Sequence, residues 1–125
     1  MGAKRKASPW RSPWAKWGGR GRSQWAKWVR ELDGKSGVYV IREKGSRLVV
    51  YVGQSHTGRL KKTMIRHFQH WKGNNAGPTY NRGRVEVRVI LAPKRVPMIL
   101  KIEQECLYRL NPRDNETGWP DEVPF

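Results

Sequence analysis

The chain has 125 residues, with 26 lysines and arginines against 10 aspartates and glutamates, a formal net charge of +16. This length favours one domain, and no apolar run approaches the roughly 20 residues of a transmembrane helix. The charge favours a polyanionic partner, and nucleic acid is the first expectation. With no apolar signal segment and a single cysteine, Cys106, we expect a protein of a reducing compartment.

Residues 1–22 predict a basic arm rather than a folded unit. They are rich in Gly, Pro, Ser, Lys and Arg and contain almost no aliphatic residue, so they offer no core of their own. "SPW" occurs twice here, and "WAKW" occurs at 14–17 and again at 25–28. Two compatible interpretations remain open. The tryptophans dock on the domain, or they stack on bases while basic side chains, including Arg20 and Arg22, contact phosphates.

Residues 23–125 predict a compact domain of class α/β (α+β), with the order β-β-α-β-α behind a short helix. Alternating β-branched segments indicate strands, and apolar residues at three- and four-residue spacing indicate helices. The expected elements are a helix over 23–32, strands over 37–43 and 47–53 joined by the turn "KGS", a helix over 59–71, a loop over 72–83, a strand over 84–92 and a helix over 96–110. We expect a three-stranded antiparallel sheet flanked by helices, which folds without the arm.

Two tyrosines lie on the predicted hairpin, in "GVY" at 37–39 and "YVG" at 51–53. With "KGS" as the turn, Tyr39 stands opposite Tyr51, and the two rings are cross-strand neighbours on one face. One interpretation is an aromatic pair that packs under a helix. The other is a reaction centre. A tyrosine hydroxyl has an ordinary pKa of about 10, and it acts as a base only where neighbouring cations lower that pKa.

Over roughly residues 36–116 the sequence resembles the GIY-YIG nuclease family. The resemblance rests on "GVY" and "YVG", on a basic helix with Arg66 and His67, on Glu103 in the last helix, and on "NPRDN" at 111–115. Family members typically carry a Glu, a Pro nine residues later and an Asn three residues beyond. Glu103, Pro112 and Asn115 stand at that spacing.

The resemblance implies a metal-dependent endonuclease that hydrolyses DNA and leaves a 5′ phosphate and a 3′ hydroxyl. The catalytic residues that it implies are Tyr39, Tyr51, Arg66, His67 and Glu103. It gives Asn115 a supporting role beside them. For Asn115 a plainer interpretation stays open, in which "NPRDN" is a turn after the helix and the asparagine bonds nearby backbone.

Glu103 is the expected metal ligand. A carboxylate is a hard oxygen donor that suits a single Mg²⁺, or Mn²⁺, retaining most of its waters. Glu105 is the rival on the same helix, but it lies about 200° around the axis from Glu103, so both cannot face one site. Glu103 matches the family spacing, and we expect Glu105 to be an exposed carboxylate.

The basic helix leaves the catalytic arginine open. Family members commonly carry an Arg with a His or Tyr four residues later. One register puts Thr63 and His67 at these positions, and another puts Arg66 and His70 there. Arg66 is the first choice because a guanidinium is needed to bind the phosphate, and Arg59, one turn before Thr63, is the alternative.

Among the histidines, His67 borders the apolar side of this helix and is the expected partner of a tyrosine hydroxyl. The expected nucleic-acid contacts come from basic side chains that point outward on the helix, together with those of the arm: Arg59, Lys61, Lys62, His70, Arg20 and Arg22.

The expected function is therefore a Mg²⁺-dependent endodeoxyribonuclease, in the cytoplasm, near the nucleoid, or in the host cell if a phage encodes it. The alternative is a non-catalytic basic nucleic-acid-binding protein that keeps a GIY-YIG-like fold. At this length we expect no large second domain. Sequence selection would have to come from the arm, the loop over 72–83, a protein partner or a dimer.

Overall fold

A computed structural model describes residues 10–15, 24–68, 79–93 and 95–115. Three antiparallel strands, β3 (Ser36–Glu43), β4 (Val49–Ser55) and β5 (Val85–Ala92), form a sheet in the order β4-β3-β5. The shorter elements are β1 (Trp14–Ala15), β2 (Gln24–Trp25), α1 (Lys27–Arg30) and α2 (Leu60–Ile65), which a 3₁₀ turn (Arg66–Phe68) continues, and the last helix is α3 (Val96–Leu110). The predicted α+β fold with a three-stranded antiparallel sheet is confirmed.

The hairpin register differs from the prediction by two residues. The turn is longer than "KGS", because the backbone closes between Glu43 and Leu48, and Arg47 adopts a positive φ of 62°. Consequently Tyr39 pairs with Gly53, and Tyr51 pairs with Ile41. The two tyrosines are diagonal neighbours on one face rather than directly opposite each other, and Gly53 places no side chain across from the Tyr39 ring.

The two faces of the sheet bury separate clusters. On one, which we call the tyrosine face, Tyr39, Ile41 and Tyr51 pack under α1 and α2. The other, the α3 face, presents Val38, Val40 and Val52 to Ile99 and its neighbours on α3. Because side chains alternate along a strand, neighbouring residues of β3 serve opposite clusters.

The glycine of "GVY" is required by close strand packing. Gly37 has a φ of +154°, a region that side chains disfavour, and a Cβ there would overlap the carbonyl oxygen of Ile90 on β5. The motif therefore begins with glycine because β3 and β5 approach closely at that point.

We expect Gly37→Ala to lower the free energy of unfolding by about 2 kcal/mol or more, because it adds backbone strain and a clash with a neighbouring strand. Gly45→Ala is the matched control, since a Cβ at this exposed turn residue meets nothing within 4 Å. Urea denaturation of the two variants measures both values. Equal stability would show that β5 can move away from Gly37 at little cost.

The N-terminal region differs from the predicted helix over 23–32. Gln24–Trp25 form β2, and the helix spans only Lys27–Arg30, with Ala26 at its N-cap. Ser23, the first residue of the predicted helix, lies outside the described residues. Val29 and Leu32 still enter the core of the tyrosine face, as their helical spacing predicts.

Residues 10–15, from the segment assigned to the arm, contact the domain. Arg11 forms two backbone hydrogen bonds with Val87 on β5, of 2.9 and 2.7 Å. Pro13 is buried, and the Trp28 indole donates a hydrogen bond to the Ser12 carbonyl oxygen at 2.9 Å. Arg11 therefore pairs with the β5 edge of the sheet through one isolated bridge, and residues 10–15 pack with the domain.

The helices α2 and α3 compare differently with their predictions. α3 spans the predicted 96–110, and Asn111, with a left-handed φ of 44°, ends it. Of the helix predicted over 59–71, Leu60–Ile65 are α-helical and Arg66–Phe68 form the 3₁₀ turn, while 69–71 lie outside the described residues. Within the described ranges, no helix has the length and apolar character needed to cross a membrane.

Candidate active site

A buried hydrogen bond joins the first tyrosine to the helix that covers it. The Tyr39 hydroxyl lies 2.7 Å from Nε2 of His67, and both side chains are fully buried. β3 fixes Tyr39 at its centre, while the 3₁₀ turn directs His67 onto the tyrosine face. The predicted contact between His67 and a tyrosine hydroxyl is present, and the tautomer of His67 sets which group donates.

Tyr51 completes an aromatic group around the same imidazole. Its ring centroid lies 4.4 Å from that of His67 and 6.3 Å from that of Tyr39. The register of β3 and β4 shifts beside it, with Ile41 opposite Tyr51 and Arg42 opposite Val49, so that Val50 is the extra residue of a bulge. A bulge changes the direction of nearby side chains, and here it adjoins the site tyrosine.

The pKa of the Tyr51 hydroxyl is raised, whereas a catalytic base would need neighbouring cations to lower it. Burial and the negative charge of Glu103 raise the pKa of Tyr51 to about 12, although the positive charge of Arg66 acts in the lowering direction. At neutral pH this hydroxyl keeps its proton. In this state Tyr51 is suited to donate a hydrogen bond rather than to act as a base.

Glu103 lies on the buried stripe of α3, one turn after Ile99, and is 6% exposed. Burial raises the pKa of its carboxyl group from 4.5 to about 7. α3 covers the face of the sheet opposite the tyrosines, yet the Glu103 charge acts on Tyr51. Glu105 is exposed on the same helix, as predicted.

The donor set at Glu103 fits a metal held by one carboxylate. A cation beside a buried carboxylate would stabilise its charged form, which burial alone disfavours. Among residues 10–15, 24–68, 79–93 and 95–115, no group of three or more His, Cys, Asp or Glu side chains could hold a metal. A single carboxylate is a donor that Mg²⁺ or Mn²⁺, which keep several of their waters, can accept.

The structure separates the two candidate arginines. Arg66 is half-buried at the start of the 3₁₀ turn, and its charge acts on Tyr51. Arg59 is exposed at the beginning of α2, and its backbone N–H donates to Ser55 Oγ at 3.1 Å. Thr63, which the other predicted register puts in place of an arginine, is buried.

The structure describes three of the six residues that are expected to contact nucleic acid. Arg59 and Lys62 are exposed, and Lys61 is half-buried on α2. His70, Arg20 and Arg22 lie outside the described residues.

Asn115 binds backbone that is distant in sequence. Its Oδ1 accepts a hydrogen bond from the Val52 N–H, and its Nδ2 donates to the Val52 carbonyl oxygen, both at 2.9 Å. Asp114 N–H also donates to the Val50 carbonyl oxygen, so this tail runs beside the outer edge of β4. Asn115 thereby supports the strand segment that carries Tyr51, and it is not a local turn residue.

Tyr80 is a member of this site that the sequence motifs do not identify. Its hydroxyl donates to Asp114 Oδ2 at 2.7 Å, its backbone N–H donates to the His67 carbonyl oxygen at 2.6 Å, and its ring centroid lies 6.4 Å from that of His67. Burial and the hydrogen bond to Asp114 raise the pKa of Tyr80. Asp114 belongs to "NPRDN". This segment therefore holds Tyr80 through Asp114, in addition to supporting β4 through Asn115.

Comparison of the sequence with models of known protein families finds no match, and comparison with curated proteins finds none either.

Proposed function

We propose that the chain is a metal-dependent endonuclease that hydrolyses DNA phosphodiester bonds. The observation that carries the proposal is the pairing of the Tyr39 hydroxyl with His67 Nε2, with Tyr51 packed on the same imidazole. A core aromatic pair needs neither a buried histidine nor a charged neighbour. Here a carboxylate and a guanidinium, Glu103 and Arg66, both act on Tyr51.

Tyr39 and His67 are the proton acceptor in this proposal. With His67 protonated at Nδ1, its Nε2 accepts the Tyr39 proton across the 2.7 Å hydrogen bond. The tyrosine oxygen then takes a proton from the attacking water. A relay of this kind meets the requirement that a general base lie within hydrogen-bond distance of the proton it removes.

In this proposal three further residues act on the charge of the scissile phosphate. Tyr51, whose hydroxyl stays protonated, donates a hydrogen bond to a phosphate oxygen, and Arg66 contributes positive charge from the same side. Glu103 is the residue that would hold the metal. A bound Mg²⁺ would supply positive charge to the reacting phosphate.

We expect Tyr39→Phe to fold and to lose on the order of 10²-fold in kcat, as for a lost general base. Tyr51→Phe removes one hydrogen bond to the phosphate and is expected to lose about tenfold. Tyr108→Phe is the control, because Tyr108 is 90% exposed on α3. Plasmid cleavage under saturating DNA measures all three, and full activity in both site variants would favour an aromatic pair with a packing role.

Arg66→Ala is expected to lower kcat at saturating DNA, because its charge lies beside Tyr51. Arg59→Ala, at an exposed position, should mainly weaken binding. Arg66→Lys retains the charge without the planar guanidinium and should recover part of the rate. Single-turnover rates and Kd values, taken together, separate these effects. Equal, modest binding defects in both alanine variants would exclude Arg66 as the catalytic guanidinium.

A non-catalytic DNA-binding protein is the second candidate, and burial favours it. Tyr39 and His67 are fully buried, and Tyr51 and Glu103 are nearly so. A binding protein uses such residues as core, and it contacts DNA through exposed basic side chains such as Arg59 and Lys62. The two candidates differ in one observable, since the binding protein leaves DNA intact in Mg²⁺.

A further inference from the structure

The repeated "WAKW" sequence has a structural counterpart. The first tryptophans of the two copies, Trp14 on β1 and Trp25 on β2, are direct cross-strand partners. The Arg82 guanidinium contacts both indoles, at 4.3 and 4.5 Å from their ring centroids. Trp25 also packs on Phe68, with ring centroids 5.8 Å apart. The repeat therefore builds one aromatic cluster that fixes a cation in place.

A pocket of about 530 Å³ opens beside this cluster. Trp14, Phe68, Tyr80 and Arg82 line it, together with Thr79, Asn81 and Gly83. All four of the larger side chains are half-buried, so each presents part of its surface to the pocket. Aromatic walls with a few polar groups, at this volume, are typical of sites for small flat ligands.

The pocket adjoins the proposed active site through two residues. Phe68 follows His67 directly in the chain, and Tyr80 donates its backbone N–H to the His67 carbonyl oxygen. The phosphate that Tyr51 and Arg66 are proposed to hold would lie next to the pocket, because the Tyr51 ring packs on His67 and Arg66 is in the same 3₁₀ turn as Phe68. Successive nucleotides of a strand lie close together, so the base next to that phosphate is within reach of the aromatic walls.

We propose that this pocket holds one unstacked DNA base next to the scissile phosphate. The inference rests on the proposed function and adds its substrate class, which is DNA with an extrahelical or unpaired nucleotide. A base inside an intact duplex has both faces stacked and its edge paired, so it cannot offer a face to Phe68 or Tyr80. The Arg82 cation and the net charge of +16 favour the attached phosphates.

The test is a binding titration by fluorescence anisotropy in EDTA, with three labelled duplexes of one sequence. The first has one extrahelical thymidine, the second has an abasic nucleotide at that position, and the third is perfectly paired. The abasic duplex controls for the bend and flexibility of the bulge. We expect the protein to bind the thymidine bulge about tenfold more tightly than either of the others. Phe68→Leu, which keeps an apolar side chain against Trp25, should bind all three with equal affinity.

Equal affinity of the wild-type protein for the thymidine and abasic bulges would overturn the pocket proposal, as would an unchanged preference in Phe68→Leu. Failure to bind any of the three duplexes would overturn it as well. The titration needs no cleavage, so it separates this proposal from the proposed function. A preference for the thymidine bulge with no cleavage in Mg²⁺ would support the pocket and contradict only the nuclease.

Discussion

Glu103→Gln is expected to abolish DNA cleavage in Mg²⁺ while DNA binding is retained or strengthened. The substitution removes the proposed metal ligand and one negative charge near the proposed DNA site, and it keeps the shape of the side chain. Losing one group that stabilises charge in the transition state costs on the order of 10²–10³-fold in rate. Glu105→Gln, two residues along α3 at an exposed position, is the matched control and should cleave normally.

The same substitution should stabilise the metal-free protein at alkaline pH. Folding raises the Glu103 pKa from 4.5 to about 7, so the folded state favours the protonated carboxyl. The contribution of Glu103 to stability is fully present below pH 4.5 and is lost as the pH rises through 7. In EDTA at pH 8 we expect Glu103→Gln to gain about 3 kcal/mol relative to its difference from wild type at pH 4.5.

Chemical denaturation of wild type and Glu103→Gln at both pH values measures this gain, and Glu105→Gln should show none. Mg²⁺ should raise the thermal stability of wild type at pH 8 and leave Glu103→Gln unchanged, because only the ionised carboxylate binds the cation. An equal rise in thermal stability with Mg²⁺ in wild type and in Glu103→Gln would contradict the metal assignment.

Removal of residues 1–15 is expected to lower the free energy of unfolding by about 2–4 kcal/mol, whereas removal of residues 1–9 is expected to leave it unchanged. The longer truncation deletes the Arg11–Val87 backbone pairing and the acceptor of the Trp28 indole. It also removes Trp10, over which the Arg42 guanidinium lies at 4.0 Å. The shorter truncation removes none of the described contacts.

The shorter truncation also isolates the electrostatic role of the terminus. Residues 1–9 carry three basic residues, Lys4, Arg5 and Lys6. If all three contact phosphates, the slope of log affinity against log salt should fall by about 3. Titrations at several salt concentrations measure the slope. An unchanged slope would mean that these residues make no phosphate contacts.

For the longer truncation, an unchanged free energy of unfolding without residues 10–15 would mean that the β5 edge needs no partner.

The strands and α3 can be predicted from the sequence because local pattern determines them. Alternating apolar residues give β3 and β5, and the apolar stripe with Pro97 near its start gives α3 over 96–110. The hairpin register cannot be predicted in the same way. It depends on a turn that closes at Leu48 and on a bulge at Val50, and neither has a local sequence signal as strong as "KGS".

Site residues that belong to a recognised motif can be predicted from the sequence. Residues that reach the site only through the tertiary fold cannot. Tyr39, Tyr51 and His67 meet as the motifs indicate, because they lie on two adjacent strands and the helix above them. Tyr80 comes from the segment before β5, and its contact with Asp114 joins residues 34 positions apart. Docking of the N-terminal tryptophans on the domain is one of the interpretations that the sequence leaves open. The pairing of Arg11 with Val87 has no sequence signal, since backbone pairing requires no particular side chain.

Incubation of purified protein with supercoiled plasmid and with single-stranded DNA, in Mg²⁺ and in EDTA, tests the nuclease proposal most directly when Glu103→Gln is run beside wild type. We predict nicked or linear products carrying 5′ phosphates for wild type in Mg²⁺, none in EDTA, and none for Glu103→Gln. Binding of both proteins to the same DNA, measured in parallel, shows that the variant still reaches its substrate. Intact DNA in every lane despite tight binding by wild type, or equal cleavage by Glu103→Gln, would contradict the proposal.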